Sequence, residues 1–461
     1  MKKTLIFLIL LSATSSLFSQ VTFSSHIVSS SRWAPQTVFA ADIDGDGDMD
    51  IVCGAEGDEL VEWYENLDGQ GSFSSSHLVA DGYSGLYSVF VVDIDGDGDM
   101  DILSSAIADN EVAWFENLDG EGSFGPRRII SDIEVHPYEV HAADMDGDND
   151  VDVLTISQIG NKVYWHENLD GQGNFGPAIL LFSNVSWPQF LKAGDVDGDG
   201  DNDAFVSAVL GDDILWTENV DGLGNFGPTQ VITDNLEGAY WIYLFDLDQD
   251  DDLDVISTAR EGGGLVVWYP NTDGLGSFGS QEIISMGTGS VSSAYPVDFD
   301  NDGDFDIVHT TAGVTGITGG VYWNENLGNQ NFGTNIVIID EDFDNSRYSF
   351  VADFDGDGDM DVVATSWADD KITWFENMTP LGINDIETVD FLIHPNPASN
   401  IIEITCSETI VSVELFNILG QKVQNVSNTN VLEIDHLQPG MYFVQITNDI
   451  GLKGRKKIIK K

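Results

Sequence analysis

The sequence is short of positive charge. Its 461 residues hold 17 Lys and Arg against 79 Asp and Glu, a formal charge of −62. Such a surface repels phosphate backbones, which excludes nucleic acid as a partner. Cysteine is nearly absent: Cys53 and Cys406 stand alone and far apart. A disulfide framework is therefore excluded, and both read as small buried apolar side chains. No apolar run reaches the roughly 18–20 residues that cross a bilayer, so no membrane span is expected. Apolar residues are not lacking, however. At 42% of the chain they suffice for a packed core and exclude a disordered acidic tail.

The first twenty residues, "MKKTLIFLILLSATSSLFSQ", place Lys2 and Lys3 before an apolar run at Leu5–Leu11 and a string of small residues. This pattern predicts a secretory signal over 1–19, with Gln20 first in the exported chain.

What is abundant is aspartate, and it is periodic. Runs of the type "DIDGDGDMDIV" start at Asp42, Asp93, Asp144, Asp195, Asp246, Asp298 and Asp353, at intervals of 51, 51, 51, 51, 52 and 55 residues. Tryptophans at 63, 114, 165, 216, 268, 323 and 374 keep the same phase, most of them in a "WxEN" phrase. Each copy reads as four short strands, as in "YSVFVVD", "DILSSA", "EVAWFEN" and "SFGPRRII". Four strands per repeat of about 50 residues is the signature of a propeller blade. The seventh copy stops near Thr379, before its fourth strand, whereas the N-terminal "VTFSSHIVSS" matches a fourth-strand phrase. The first strand, 21–29, should therefore complete the last blade and close a ring. The expected fold is all-β: a seven-bladed β-propeller over 20–379, then a small C-terminal β-sandwich.

Alternate carboxylates in a tight loop are the hard oxygen donors that Ca²⁺ selects. In the first copy they are Asp42, Asp44, Asp46, Asp48 and Asp50. The second has Asp93, Asp95, Asp97, Asp99 and Asp101, and the third Asp144, Asp146, Asp148, Asp150 and Asp152. Asp195, Asp197, Asp199, Asp201 and Asp203 follow, then Asp246, Asp248, Asp250, Asp252 and Asp254. The sixth has Asp298, Asp300, Asp302, Asp304 and Asp306, and the seventh Asp353, Asp355, Asp357, Asp359 and Asp361. By comparison with known calcium loops, positions 1, 3, 5 and 9 supply carboxylates and position 7 its backbone carbonyl. Position 6 must turn with positive φ. It is Gly in five copies, and Asn149 and Asp251 in the others, the residue types that best tolerate that region. An EF-hand would need a Glu at position 12, where Cys53, Ser104 and Thr155 stand. Up to seven structural calcium sites are expected. At tenfold Kd each would add about 1.4 kcal/mol to stability.

The "DxDxDGxxD" loop, repeated in phase, resembles the FG-GAP/VCBS repeats of integrin α-subunit propellers and many bacterial secreted proteins. The resemblance covers 21–379 and implies a calcium-stabilised propeller used for adhesion or ligand binding.

Composition changes near residue 385. From Asp390 to Lys461 there are seven acidic and seven basic residues, leaving 72 acidic and 8 basic in 20–389. Residues 380–389 read as a linker. The tail, 390–461, alternates like a small sandwich and carries "HPNPAS" at His394, "ILGQKV" at Ile418 and "LQPGMYFVQI" at Leu437. Together these are similar to the type A C-terminal sorting domain of the Bacteroidetes type IX secretion system. That resemblance implies the type IX machinery as a partner, and a protein released or anchored at the outer-membrane surface.

Variation between copies concentrates in the connections from each fourth strand to the next first strand, which lie opposite the aspartate loops. They carry Arg32, Trp33, Tyr87, His136, Tyr138, Trp187, Tyr240, Trp241, Arg347 and Tyr348. These would either plug the central channel or present a surface for a glycan or protein. Arg32, Trp33, His136, Trp187, Trp241 and Arg347 are the candidate ligand-binding residues. No nucleophile elbow or paired metal histidines appear, so an enzyme is not expected. The alternative is a secreted propeller lyase or glycoside hydrolase acting on polysaccharide. Its mark would be a non-repeated Asp/Glu pair or His/Arg/Tyr cluster at the channel mouth.

Overall fold

In a computed structural model, the described residues are 21–287, 289–313, 319–339, 343–379, 391–406, 409–416, 422–427, 429–437, 440–448 and 453–461. The expected signal segment and linker lie outside them. Two units divide the chain, Met1–Leu381 and Gly382–Lys461.

The first unit is a ring of seven four-stranded antiparallel sheets. Blade 1 runs Pro35–Ala41, Asp50–Ala55, Leu60–Tyr64 and His77–Asp81 from the axis outwards. The second strand of that blade is buried at every position, and the outermost is largely exposed. This gradient follows from blade-on-blade packing, which covers both faces of the inner strands and leaves the rim to solvent. The innermost strands adjoin in sequence around the ring, and Pro35–Ala41 lies against Ser346–Ala352 of blade 7. Phe23–Ser29 pairs antiparallel with Lys371–Asn377, so the outermost strand of blade 7 comes from the N-terminal end of the described chain.

Neighbouring blades are fastened by the repeat's own residues. The Asn of each "WxEN" phrase is buried. Its backbone N–H donates to the position-9 aspartate of its own loop, at 2.8 Å for Asn66 and Asp50. In six copies the side-chain amide donates to the position-2 carbonyl of the preceding blade's loop, whereas that of Asn326 donates to Phe305 of its own loop. Asn117 reaches Ile43 and Asn168 reaches Ile94, both at 2.9 Å. Asn66 reaches Phe354 at 2.8 Å, which carries the latch across the ring closure. Glycine has a matching role in the "DGxG" turns. A Cβ at Gly122 would fall 2.2 Å from the Trp63 ring of the blade before, and Gly173 stands the same way to Trp114. Both have φ near +75° (78° and 71°), so their geometry and their space both require glycine.

The second unit holds a three-stranded sheet (Phe391–His394, Ile401–Cys406, Val431–Glu433) and a four-stranded sheet (Lys422–Ser427, Ile410–Phe416, Gly440–Asn448, Lys453–Lys460). Their inner faces share one core that includes Phe391, Ile402, Val413, Leu415, Val444 and Ile458. Cys53 is buried as expected, whereas Cys406 is half-buried.

Candidate functional site

Every aspartate run forms a compact loop between the first and second strands of its blade. Position 6 has positive φ in all seven copies, including Asn149 at 71° and Asp251 at 75°. That turn lets the position-1 carboxylate accept the position-6 N–H, at 3.0 Å from Gly47 to Asp42 and 3.1 Å from Gly358 to Asp353. The position-9 aspartate is buried at the start of the second strand, where one oxygen accepts the position-2 N–H, as from Ile43 to Asp50 at 2.9 Å.

The loop thereby draws carboxylates together. One oxygen each of Asp42, Asp44 and Asp50 lies within 4.8 Å of the others, and Asp93, Asp95, Asp101 and Asp144, Asp146, Asp152 repeat this. In the fourth and fifth loops the trios are Asp195, Asp197, Asp199 and Asp246, Asp248, Asp250. The position-7 carboxylate of the first loop, Asp48, lies outside its trio. A Cβ on Gly69 would lie 2.5 Å from Asp48 Oδ1, so that carboxylate faces the Asp-Gly turn of the same blade.

These clusters fit a cation on their own chemistry. Oδ1 of Asp42, Asp95, Asp146 and Asp248 is buried without a hydrogen-bond partner. Burial pushes the position-9 carboxyls up, to about 7 for Asp50, Asp101, Asp152, Asp203 and Asp361, and about 8 for Asp306. A carboxylate raised in this way lacks a countercharge. A hard divalent ion would supply one to the whole trio.

The six residues expected to bind a ligand are dispersed. The Arg32 guanidinium donates to Glu62 and, at 2.7 Å, to Ser76. Trp33 is 64% exposed and Trp187 37%. His136 sits at a φ of 62°, its N–H held by Asn110. The Arg347 guanidinium lies 5.3 Å from the Trp367 ring centroid. Trp241 is buried at the axis. Among the described residues, no hydrogen bond or ring contact joins any two of the six.

The channel is closed at the end where those connections lie. Tyr87, Tyr138, Tyr240 and Tyr348 are buried. The Tyr87 and Tyr138 hydroxyls touch, Tyr138 and Tyr240 follow at 3.1 Å, and Phe190 packs among Tyr240, Trp241 and Tyr348. Of the two expectations for these aromatics, plug or surface, the packing is that of a plug. Towards the aspartate loops the inner strands open: Pro137–Ala143, Pro188–Gly194 and Ala239–Phe245 are each buried over four positions and partly exposed over the last three.

There the channel widens into a cavity of about 310 Å³. Its lining includes non-repeated polar residues that the sequence reading passed over: Glu139, His141 and Lys192. Tyr348 donates to Glu139 Oε2 at 2.9 Å. Burial pushes the Glu139 carboxyl up to about 7, against the pull of Lys192. Burial likewise lowers Lys192 and, with Lys192 beside it, pushes His141 well down. The sequence signal was present as departures from the repeat. These residues replace apolar or small ones of other copies at the same strand positions, Thr37 and Ser88 opposite Glu139, Phe39 and Phe90 opposite His141 and Lys192.

The FG-GAP-like repeat model matches 42–104, 144–206 and 246–309, and the secretion system C-terminal sorting domain model matches 392–461. No curated protein matches the chain. Among solved structures, BBS1N crystallised in complex with ARL6DN is similar in fold in two forms, with TM-scores of 0.53 and 0.54. Each shows 12% identity and covers 79% of this chain and 99% of that one. The rhamnogalacturonan lyase YesW gives a TM-score of 0.45 and 13% identity, covering 78% of this chain and 76% of that one. An extracellular domain of a hybrid two component system from B. thetaiotaomicron gives 0.48 and 11%, covering 95% and 57%.

Proposed function

We propose that this chain, which carries FG-GAP-like repeats and a secretion system C-terminal sorting domain, is an exported calcium-binding propeller that serves as an adhesion or ligand-binding module. The sorting domain supports export by the type IX machinery, with release or attachment at the cell surface as the outcome. The aspartate loops act as rivets: calcium among the carboxylates of positions 1, 3, 5 and 9 ties the first strand of each blade to the second. The observation that carries this reading is the set of buried, unpartnered oxygens on Asp42, Asp95, Asp146 and Asp248. Left without a cation, they would cost stability at each of their four blades.

The test is thermal unfolding with calcium and with a chelator. Calcium at tenfold Kd adds about 1.4 kcal/mol per site, so the melting temperature should fall steeply on chelation and recover on adding Ca²⁺. An unchanged melting curve would overturn the reading.

One observation favours the polysaccharide-active alternative. Glu139, His141 and Tyr348 form a non-repeated cluster around the axial cavity. Turnover of an acidic polysaccharide, lost in Glu139→Gln with folding intact, would establish it. No turnover on a broad panel would leave the binding module.

A further inference from the structure

The residue three positions before each aspartate loop faces the axial cavity or its edge. In chain order these are Phe39, Phe90, His141, Lys192, Tyr243, Tyr295 and Phe350. Six are planar rings, and they touch one another around the axis. Phe39 meets Phe90 at 5.2 Å between centroids and Phe350 at 4.5 Å. Phe90 meets His141 at 4.9 Å, Phe350 meets Tyr295 at 5.8 Å, and Tyr295 meets Tyr243 at 5.2 Å. The seventh position, between His141 and Tyr243, is the Lys192 ammonium. The cavity is thus an aromatic belt closed by one cation.

That cation is anomalous. The propeller span holds eight basic residues against 72 acidic ones, so partners are plentiful, and Arg32, Arg127 and Arg128 each have a glutamate. Among the described residues, Lys192 has no carboxylate within 4.0 Å; the Glu139 carboxyl of the same cavity attracts it from farther off, and the Trp241 ring lies 5.9 Å from Nζ. Glu139, the acid of the cavity, is held instead by the Tyr348 hydroxyl. The Nδ1 of His141 and the Nε1 of Trp241, both lining residues, are buried without partners. A mere plug needs only apolar side chains, and a desolvated cation without a close ion pair weakens it. Flat walls that stack, a single positive charge and nearby unused ring nitrogens together describe a receptor.

We propose that this vestibule, on the aspartate-loop side of the propeller, binds a small ring-bearing carboxylate, its ring against the aromatic belt and its carboxylate on Lys192. The inference deepens the ligand-binding reading and rests on it. It moves the ligand from the variable connections to the end of the channel that carries the metal loops. A ring-bearing carboxylate can be an aromatic acid or a sugar acid, and the cavity volume admits either.

The experiment is calorimetric titration of the calcium-replete chain with benzoate and with glucuronate, each beside its neutral counterpart, benzamide and glucose. At least one acid should bind in the millimolar range or tighter while its neutral counterpart does not. Benzoate alone would identify an aromatic acid, glucuronate alone a sugar acid. Lys192→Met should weaken that binding about tenfold or more. It should also leave the melting temperature equal or higher, because a desolvated cation without a close ion pair is replaced by an apolar side chain of similar length. Tyr243→Leu, which removes one ring of the belt, should weaken binding as well. Absence of binding by both acids, equal binding of neutral and acid probes, or unchanged affinity in Lys192→Met would each overturn the proposal. A chain that melts identically in chelator but binds an acid would refute the calcium reading and leave this one standing.

Discussion

At the scale of single residues, the repeat is held by side chains whose roles are positional. Asn168 makes the case. Its Nδ2 reaches Ile94 O at 2.9 Å in the preceding blade, and its Oδ1 accepts from Gly173 N at 3.2 Å. Asn168→Ala would strand a buried carbonyl and a buried N–H. The expected cost is about 2–3 kcal/mol, read as a lower urea midpoint with an unchanged slope. The phrase "WxEN" was legible as a marker of phase, but the latch was not, because its partner lies 74 residues away in another blade. The loops were more transparent. Position 6 was expected to have positive φ from Gly47 and its equivalents alone, and Asn149 and Asp251 adopt it too. Local conformation of this kind is set within a few residues, so a sequence can state it.

At the scale of elements, the most consequential strand is Phe23–Ser29. It is the outermost strand of a sheet whose other three strands end the ring. Its pairing with Lys371–Asn377 is reinforced by His26, which stacks on Trp374 at 4.6 Å and hydrogen-bonds Glu376 at 2.7 Å. Deleting residues 21–29 would leave Lys371–Asn377 as an unpaired edge carrying buried Trp374 and Phe375. Size-exclusion chromatography should then show association, and thermal unfolding should lose cooperativity. A monomer that melts as before would refute the closure. This pairing was readable in outline because the two halves of a blade stand at opposite ends of the repeat array. The register shift between Ile27 and Ser29 was not readable. It depends on how the strand fits the curved edge of one blade.

At the scale of the whole molecule, charge and proton uptake are coupled. The position-9 carboxyls, raised to about 7 by burial, have folded values above the roughly 3.9 of an unfolded aspartate. In chelator the folded state therefore holds more protons than the unfolded state between about pH 4 and 8. Stability must fall as pH rises through that window. The melting temperature of the chelated protein should be higher at pH 5 than at pH 8. Calcium, which demands ionised carboxylates, should stabilise most at pH 8 and progressively less towards pH 5. Scanning fluorimetry across this range checks both slopes, and a flat profile in chelator would sink the assignment of these shifts. The loops are coupled because each links two strands of its own blade and six of the seven also reach the neighbouring blade through the asparagine latch.

The sequence by itself determined the number of blades, the place of the aspartate loops and the identity of the tail. Each of these rests on local spacing or on a pattern repeated in phase. It also supplied the residues of the axial cavity, but not their meaning. Glu139, His141 and Lys192 stand in inner strands that read alike, and nothing within a strand says which of its residues meets the axis. That was decided by the ring closure. It brings side chains about 51 residues apart into one belt, buries the tyrosines at one end and leaves the other open. The lining of a channel belongs to no single repeat, because each blade contributes one side chain and the set of seven acquires its chemistry only when the circle is complete.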